Sequence, residues 1–282
     1  MKNKIVKSVQ RPSVQIFVYV IVIFSVLFSF LSVYITLLNS IKDQYDIYRG
    51  IFALPSSRVA WNNFALAWEQ VKDYLLNSVF TALVGATITV GVGSGIAYIF
   101  SRKEFYGKEQ IFMLYITVLL MPSVTGLSVL YKFIIDLNFV DTYFAIWVPL
   151  LASGQVGVVF LFRTFFSQQP SSVFEAARMD GANDVVIFVR FVLPMAFPIV
   201  MLNFVSTFTG QFNDFLWPSM VIKTDQKMLL MPMLQRFCEI NKGKQEGVNY
   251  AMYLIAGLPL VVTTVFSLRF FKDGDFAAGM KL

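Results

Sequence analysis

Six long stretches without a charged residue alternate with short charged segments along the chain. A helix needs about 20 apolar residues, each adding about 1.5 Å, to cross the hydrocarbon core of a bilayer, and every stretch is long enough. The pattern therefore predicts an all-α polytopic membrane protein whose residues 1–282 form one membrane domain. The six expected spans cover residues 14–38, 77–100, 111–131, 142–162, 194–217 and 248–270.

Basic residues predict the orientation of these spans. The first eleven residues carry Lys2, Lys4, Lys7 and Arg11, and the apolar run after them is longer than that of a secretory signal peptide. The segments assigned to the cytoplasm hold 13 Lys and Arg residues, the outer segments hold 10, and the inner segments are shorter. The higher density of positive charge on the inner side predicts that both termini are cytoplasmic.

Three of the connections are longer than simple turns. The cytoplasmic loop covers residues 163–193, and the two long outer loops cover residues 42–73 and 223–246. Both outer loops mix charged with apolar and aromatic residues, so we expect them to face partner proteins. Disordered connections are the alternative for the outer loops.

Composition narrows the classes of function. With 57% apolar residues, 14% charged residues and a mean hydropathy of +0.66, the chain is typical of integral membrane proteins. Its net charge of +6 lies in short segments between apolar runs, which favours inner-leaflet orientation over nucleic-acid binding. Because the chain has no His and one Cys, it cannot assemble a zinc site or a Ser-His-Asp or Cys-His catalytic group. No Gly-x-x-x-x-Gly-Lys-Ser/Thr loop occurs, so the binding of ATP would need a separate protein.

The fifth span carries a polar stripe at helical spacings of three and four residues. Such a face should avoid lipid, and a carboxylate within a span is costly unless it faces a partner or a water-filled cavity. Asp214 either borders a pathway or only hydrates at the outer interface. The candidate pathway residues are Asn203, Thr207, Gln211, Asn213, Asp214 and Trp217.

A proline and a glycine interrupt the third span at Met121–Gly126. Such residues are tolerated in membrane helices where neighbouring helices or a cavity satisfy the freed backbone groups. The interruption indicates either a kink beside a pathway or ordinary helix packing.

The cytoplasmic stretch Pro170–Pro194 predicts two short helices joined at a glycine. Ser172 stands three residues before Glu175, the spacing of a capping box at a helix start. Gly181 can take the left-handed conformation that ends such a helix, and Asn183 can cap the second one.

The same stretch resembles the Glu-Ala-Ala signature found in membrane subunits of binding-protein-dependent, ATP-driven importers. Six residues match it, and Phe191 stands where that family usually has Ile. Further resemblance to the maltose-type subset covers residues 51–55, 61–64, 137–143 and 269–281. Residues 211–218 resemble sugar-importing members of the family, although Phe212 and Asp214 depart from that pattern. The chain is thus similar to the smaller, six-span permease of carbohydrate importers, with the transmembrane fold of type I ABC importers. The matching signature residues are Glu175, Ala176, Ala177, Gly181, Leu193 and Pro194.

The resemblance implies an assembly. The loop residues Glu175, Ala176, Ala177, Asp180 and Gly181 would dock into a cleft on an ATPase subunit. The chain would form a heterodimer with a homologous permease, and two ATPase subunits would carry ATP and Mg. An extracytoplasmic binding protein would deliver the sugar to this permease pair in the bacterial plasma (inner) membrane, whose lipid surrounds the spans. The chain itself would bind no cofactor, metal or nucleic acid and would catalyse no reaction.

Other interpretations remain open from the residues alone. The signature could be a surface helical hairpin in which Glu175 is only a cap and Gly181 only a stop. A secondary transporter or channel would need no ATPase, but such proteins often show an internal repeat and an ionisable site near mid-membrane. A membrane-embedded enzyme would need a metal constellation or paired carboxylates on an inner face. The sequence shows no clear repeat or mid-membrane ionisable site, and no metal constellation or paired carboxylates on an inner face.

Overall fold

The structure is a computed structural model that describes residues 12–56, 58–120 and 123–272. Within these ranges the regular secondary structure is entirely helical, which confirms the all-α class predicted from the charge-free runs. The basic residues up to Arg11, the Met121–Pro122 part of the interruption, and the tail after Lys272 lie outside the described residues.

The helices follow one another along the chain with short connections. The α-helices are α1 Pro12–Ser40, α2 Gln44–Arg49, α3 Asn62–Arg102, α4 Lys108–Thr117, α5 Leu127–Asp136, α6 Phe144–Pro149, α7 Val156–Ser167, α8 Ser171–Met179, α9 Asp184–Ile187, α10 Leu193–Met195, α11 Phe197–Phe212, α12 Leu216–Val221, α13 Leu230–Asn241 and α14 Glu246–Lys272. Three 3-10 helices cover Val118–Leu120, Ser123–Gly126 and Asp225–Lys227. Two π-helices cover Leu150–Gly154 and Phe188–Val192.

Three of these helices are long and apolar enough to cross a membrane on their own: Val14–Ser40, Asn62–Arg102 and Glu246–Leu268. Two further pairs qualify only as bent spans. Phe144–Ala152 and Val156–Ser167 meet at 45°, and Asp184–Met195 and Phe197–Phe212 meet at 81°. The described residues therefore offer three to five crossings, and the arrangement of six spans stays a prediction.

The third expected span, 111–131, is not a continuous helix. Helix α4 passes into a 3-10 turn that ends at Leu120, and a second 3-10 turn leads into α5. The described part of the interruption, Ser123–Gly126, thus breaks the helix, as its glycine suggested.

The fifth expected span, 194–217, is also broken, at Ala196 and again between α11 and α12. A proline has no N–H for the carbonyl four residues before it, and its ring clashes with that carbonyl. Pro198 acts in this way just after the break at Ala196, and Pro218 would act on Asp214 in an unbroken helix. The polar stripe is therefore divided between two helices.

Contacts divide the chain into two compact units. The first contains Met1–Gln70 and Arg236–Ile255, and the second contains Val71–Gln235 and Ala256–Leu282. In the first unit the fully buried Lys42 ammonium donates to Asn39 Oδ1 at 3.0 Å and to the Gly50 carbonyl at 3.2 Å. Burial lowers the pKa of Lys42, although the nearby carboxylate of Asp46 opposes this shift. These bonds fix the turn after α2 against the end of α1.

The two expected outer loops contain helical structure. Residues 42–73 include α2 and the start of α3, and residues 223–246 include all of α13. Regular helices account for the length of both segments better than disordered connections do.

The second unit buries an aromatic cluster at the C-terminal end of α3. Tyr98 and Phe100 of α3 lie in one apolar cluster with Phe162 and Phe166 of α7. Phe174 of α8 is buried in the same cluster, so α8 is held against the membrane helices by its apolar face.

Candidate functional site

Helix α8 ends in a glycine turn that directs the chain into α9. Gly181 has φ +84°, the left-handed conformation predicted for it. Its N–H donates to the Arg178 carbonyl at 3.0 Å, and the Ala182 N–H donates to the Ala177 carbonyl at 2.9 Å, which is the hydrogen-bond pair of a Schellman motif. A Cβ at Gly181 would meet no described atom within 4 Å. Backbone conformation, rather than crowding, therefore favours glycine here.

The start of α9 is as predicted, but the start of α8 is not. Asn183 Oδ1 accepts from the Val186 N–H at 2.9 Å and caps α9. Helix α8 begins at Ser171 after the extended residue Pro170, and no side chain caps it. The Ser172–Glu175 capping box is therefore wrong, because Ser172 lies inside the first turn, where its hydroxyl no longer occupies the cap.

The residues expected to dock an ATPase divide between two faces of this loop. Ala177 is buried and packs in the aromatic cluster beneath α8. Glu175, Ala176, Asp180 and Gly181 are exposed. The exposed part of the loop thus presents a carboxylate, a small side chain and the glycine turn to the surroundings.

The loop is supported by polar contacts that the sequence analysis did not identify. The Arg102 guanidinium donates to the Phe166 carbonyl and, at 2.6 Å, to the Gln169 carbonyl. Lys103 Nζ lies 2.5 Å from a carboxylate oxygen of Asp184. Arg102 and Lys103 end a long helix, so the sequence contained a signal for these contacts, but basic residues in this place predicted only the orientation of the span.

A cavity of about 650 Å³ lies in the second unit, within the usual size range of ligand sites. Its wall is mostly apolar and includes Pro149, Leu150 and Leu229. Three predicted pathway residues, Gln211, Asp214 and Trp217, also line it, together with Thr81 of α3. Asp214 and Trp217 thus line one cavity, although a break separates α11 from α12 where an unbroken helix was expected.

The other three pathway candidates lie outside the lining of this cavity. Asn203 is buried and its amide donates to the Ile199 carbonyl at 2.8 Å. Asn213 is exposed and donates to the Thr209 carbonyl at 3.0 Å. Thr207 is half-buried on α11.

The Gln211 side chain is closely packed, and its amide group is unpaired among the described residues. Neither its amide nitrogen nor its amide oxygen has a hydrogen-bond partner among the described residues, and the Thr81 hydroxyl also lacks one. A Cβ added to Gly85 would come within 1.9 Å of the Gln211 amide oxygen. Gly85 therefore allows the Gln211 side chain to lie directly on the backbone of α3.

No cluster of metal-ligating side chains accompanies the cavity. Across the described ranges, no group of three or more His, Cys, Asp or Glu side chains could hold a metal ion.

The arrangement matches a known family. The family model described as "Binding-protein-dependent transport system inner membrane component" matches residues 87–272, which include the α8–α9 loop and the cavity helices α11 and α12. The chain belongs to this family. Membership makes it an inner membrane component of a transport system, which agrees with its apolar helices.

Curated relatives of this inner membrane component align over most of its length. The probable ABC transporter permease protein YurM of Bacillus subtilis is 28% identical over 86% of this chain and 81% of its own. The trehalose/maltose transport system permease protein MalG of Thermococcus litoralis is 28% identical over 74% of this chain and 75% of its own. The sn-glycerol-3-phosphate transport system permease protein UgpE of Yersinia pestis is 28% identical over 94% of this chain and 96% of its own.

A solved structure shares the fold of this inner membrane component. It is described as a bacterial ABC transporter involved in the import of the acidic polysaccharide alginate, and its chain aligns with a TM-score of 0.78 at 19% identity. The alignment covers 93% of this chain and 98% of that one. The fold is therefore that of an ABC importer permease.

Proposed function

We propose that this chain is a permease subunit of an ATP-binding-cassette importer for a sugar or oligosaccharide. The names of the relatives, which include a trehalose/maltose permease, support a carbohydrate as the solute. The observation that carries the proposal is the α8–α9 loop, whose glycine turn exposes Glu175, Ala176 and Asp180 on one face. A rigid loop with small and acidic residues on its free face fits the cleft of a partner protein.

The proposed assembly contains this chain, a homologous permease and two ATPase subunits that bind ATP and Mg. An extracytoplasmic binding protein supplies the solute. All six spans lie in the plasma membrane with both termini in the cytoplasm. This chain supplies part of the route, and catalysis belongs to the ATPase subunits.

In the proposed mechanism, closure of the ATPase dimer moves residues 171–184 and exchanges outward for inward access. This is a two-state coupling, because each end of the route is open in one state only. Helix α8 is packed against the membrane helices through the buried Phe174 and Ala177, so a displacement of the loop is transmitted to those helices. The cavity beside Gln211 and Asp214 lies on the route and exchanges water between the two states.

Reconstitution tests the proposal. Vesicles that contain this chain alone should neither hydrolyse ATP nor accumulate sugar, and both activities should appear when the partner permease, ATPase and binding protein are added. Uptake by the chain alone, driven by a proton or sodium gradient, would instead identify a secondary transporter. Calorimetry of the binding protein against a panel of oligosaccharides would identify the solute.

A further inference from the structure

The inner end of α3 makes a set of contacts that the proposed docking role does not require. Arg102 is the last residue of this 41-residue helix. Its guanidinium donates to the carbonyls of Phe166 and Gln169, just where α7 ends and free carbonyls need donors. The guanidinium carbon also lies 4.4 Å from the ring centre of Phe174 in α8. One side chain thus contacts the end of α7 and the buried face of α8.

These contacts are strong and directional. A guanidinium that donates to carbonyls forms charge-assisted hydrogen bonds, and its planar face can also stack on an aromatic ring. Phe174 is only 4% exposed, so the ring is shielded from water on its other sides. Gln169 extends the link, because its amide donates to the Val192 carbonyl at 3.1 Å, in the segment after α9.

We propose that Arg102 is a positioning residue for coupling, which ties the ATPase-docking loop to α3. This inference rests on the proposed function. When the loop moves, α8 carries Phe174 with it, and the guanidinium stacked on this ring draws the end of α3 along, while its two carbonyl contacts keep α3 joined to the segment that enters α8. A solvent-exposed ion pair would be too weak to move the end of α3 with the loop. The pair of Lys103 with Asp184 is partly exposed on both sides and contributes little.

Charge-matched variants in the complete transporter test the inference. Arg102→Gln and Lys108→Gln each remove one positive charge near the junction of α3 and α4, but the ion pair that Lys108 makes within the described residues is a local one with Glu104. The Arg102→Gln complex should retain its ATPase subunits and hydrolyse ATP, while sugar uptake per ATP falls on the order of ten-fold. Lys108→Gln should leave this ratio unchanged. Arg102→Lys should be intermediate, because it keeps the charge but loses the planar fork.

Other results would overturn the inference. An unchanged ratio of uptake to ATP hydrolysis in Arg102→Gln would do so, and so would failure of both Arg102 variants to assemble, since the side chain would then serve the fold. Failure of the proposed function is distinguishable. In that case the unmodified chain would not retain the ATPase at all, before any substitution is made.

Discussion

The Asp141 carboxylate accepts a hydrogen bond of 2.5 Å from the Thr224 hydroxyl, although the two residues are 83 positions apart. The backbone N–H groups of Lys223 and Thr224 each donate to the same carboxylate at 2.9 Å. The Asp141 N–H in turn donates to the Val221 carbonyl at 2.7 Å. One aspartate therefore joins the connection between α5 and α6 to the segment that follows α12.

We expect Asp141→Asn to destabilise the protein by on the order of 1 kcal/mol, because an amide replaces one acceptor oxygen and removes the charge. Thermal melting of the purified protein in detergent measures the effect. Asp136→Asn is the matched control, since Asp136 is exposed at the end of α5. Equal melting temperatures for the two variants would show that the contacts of Asp141 contribute nothing to stability.

The same carboxylate predicts a pH dependence. The hydrogen bonds from the Thr224 hydroxyl, and then from the two backbone N–H groups, hold the pKa of Asp141 well below its ordinary value near 3.9. A lowered pKa in the folded state stabilises the fold above the unfolded pKa, and this stabilisation is lost as the pH falls through the folded pKa. The gap in melting temperature between the unmodified protein and Asp141→Asn should thus be constant from pH 7 to about 5 and shrink below about 4. A gap that grew with acidification would contradict this assignment.

Gly181→Val should uncouple transport from ATP hydrolysis. A non-glycine residue held at positive φ costs on the order of 1 kcal/mol, and the added side chain would point out of the face proposed to dock. Gly107→Val controls for backbone strain, because Gly107 also has a positive φ of +77° and lies outside the docking loop. Sugar uptake and ATPase retention should fall for Gly181→Val alone. If both variants lose activity equally, strain and not docking explains the effect.

Gln211→Met tests whether the unpaired amide beside the cavity serves transport. Removal of a buried polar group without partners should leave stability unchanged or raise it, whereas loss of a group on the route should lower the rate of sugar uptake. Asn203→Leu is the comparison, since Asn203 lies outside the cavity lining and its amide already donates to the Ile199 carbonyl. A Gln211→Met transporter that is both stable and fully active would remove Gln211 from the pathway.

State-dependent labelling tests Asp214. After replacement of Cys238, the single cysteine of the chain, Asp214→Cys should react with a membrane-impermeant thiol reagent faster in the ATP-bound state than in the nucleotide-free, inward-facing state. Burial raises the pKa of the Cys238 thiol, so this thiol would react slowly, but its removal makes the labelling at position 214 easier to interpret. Asn213→Cys, exposed and outside the cavity lining, should label similarly in both states. Equal rates at position 214 would indicate that Asp214 only hydrates at the interface.

Local signals predicted the parts of the structure that depend on neighbouring residues. The charge-free runs predicted α1, α3 and α14, and single residues predicted the turn at Gly181 and the cap at Asn183. The breaks in the fifth expected span were also readable in principle, because Pro198 and Pro218 follow them closely. The capping box failed because the helix start lies two residues earlier, with Pro170 rather than Ser172 at the cap position.

Contacts between residues that are far apart in the sequence could not be predicted from the sequence alone. Arg102 contacts carbonyls 64 and 67 residues away, and no local pattern specifies such partners. The cavity is likewise lined by residues from distant parts of the chain, such as Thr81, Leu150 and Leu229, which no local pattern brings together.

Helix α3 is unbroken between Thr81, in the wall of the cavity, and Arg102, at the docking loop. The 21 intervening steps correspond to about 30 Å at the rise of an α-helix. An uninterrupted helix resists bending, whereas the segments around Leu150–Gly154 and Ala196 have hinges that can absorb a displacement locally. The part of α3 from Thr81 to Arg102 therefore acts as a stiff connection, which transmits a displacement at Arg102 to the cavity wall with no helix break between them.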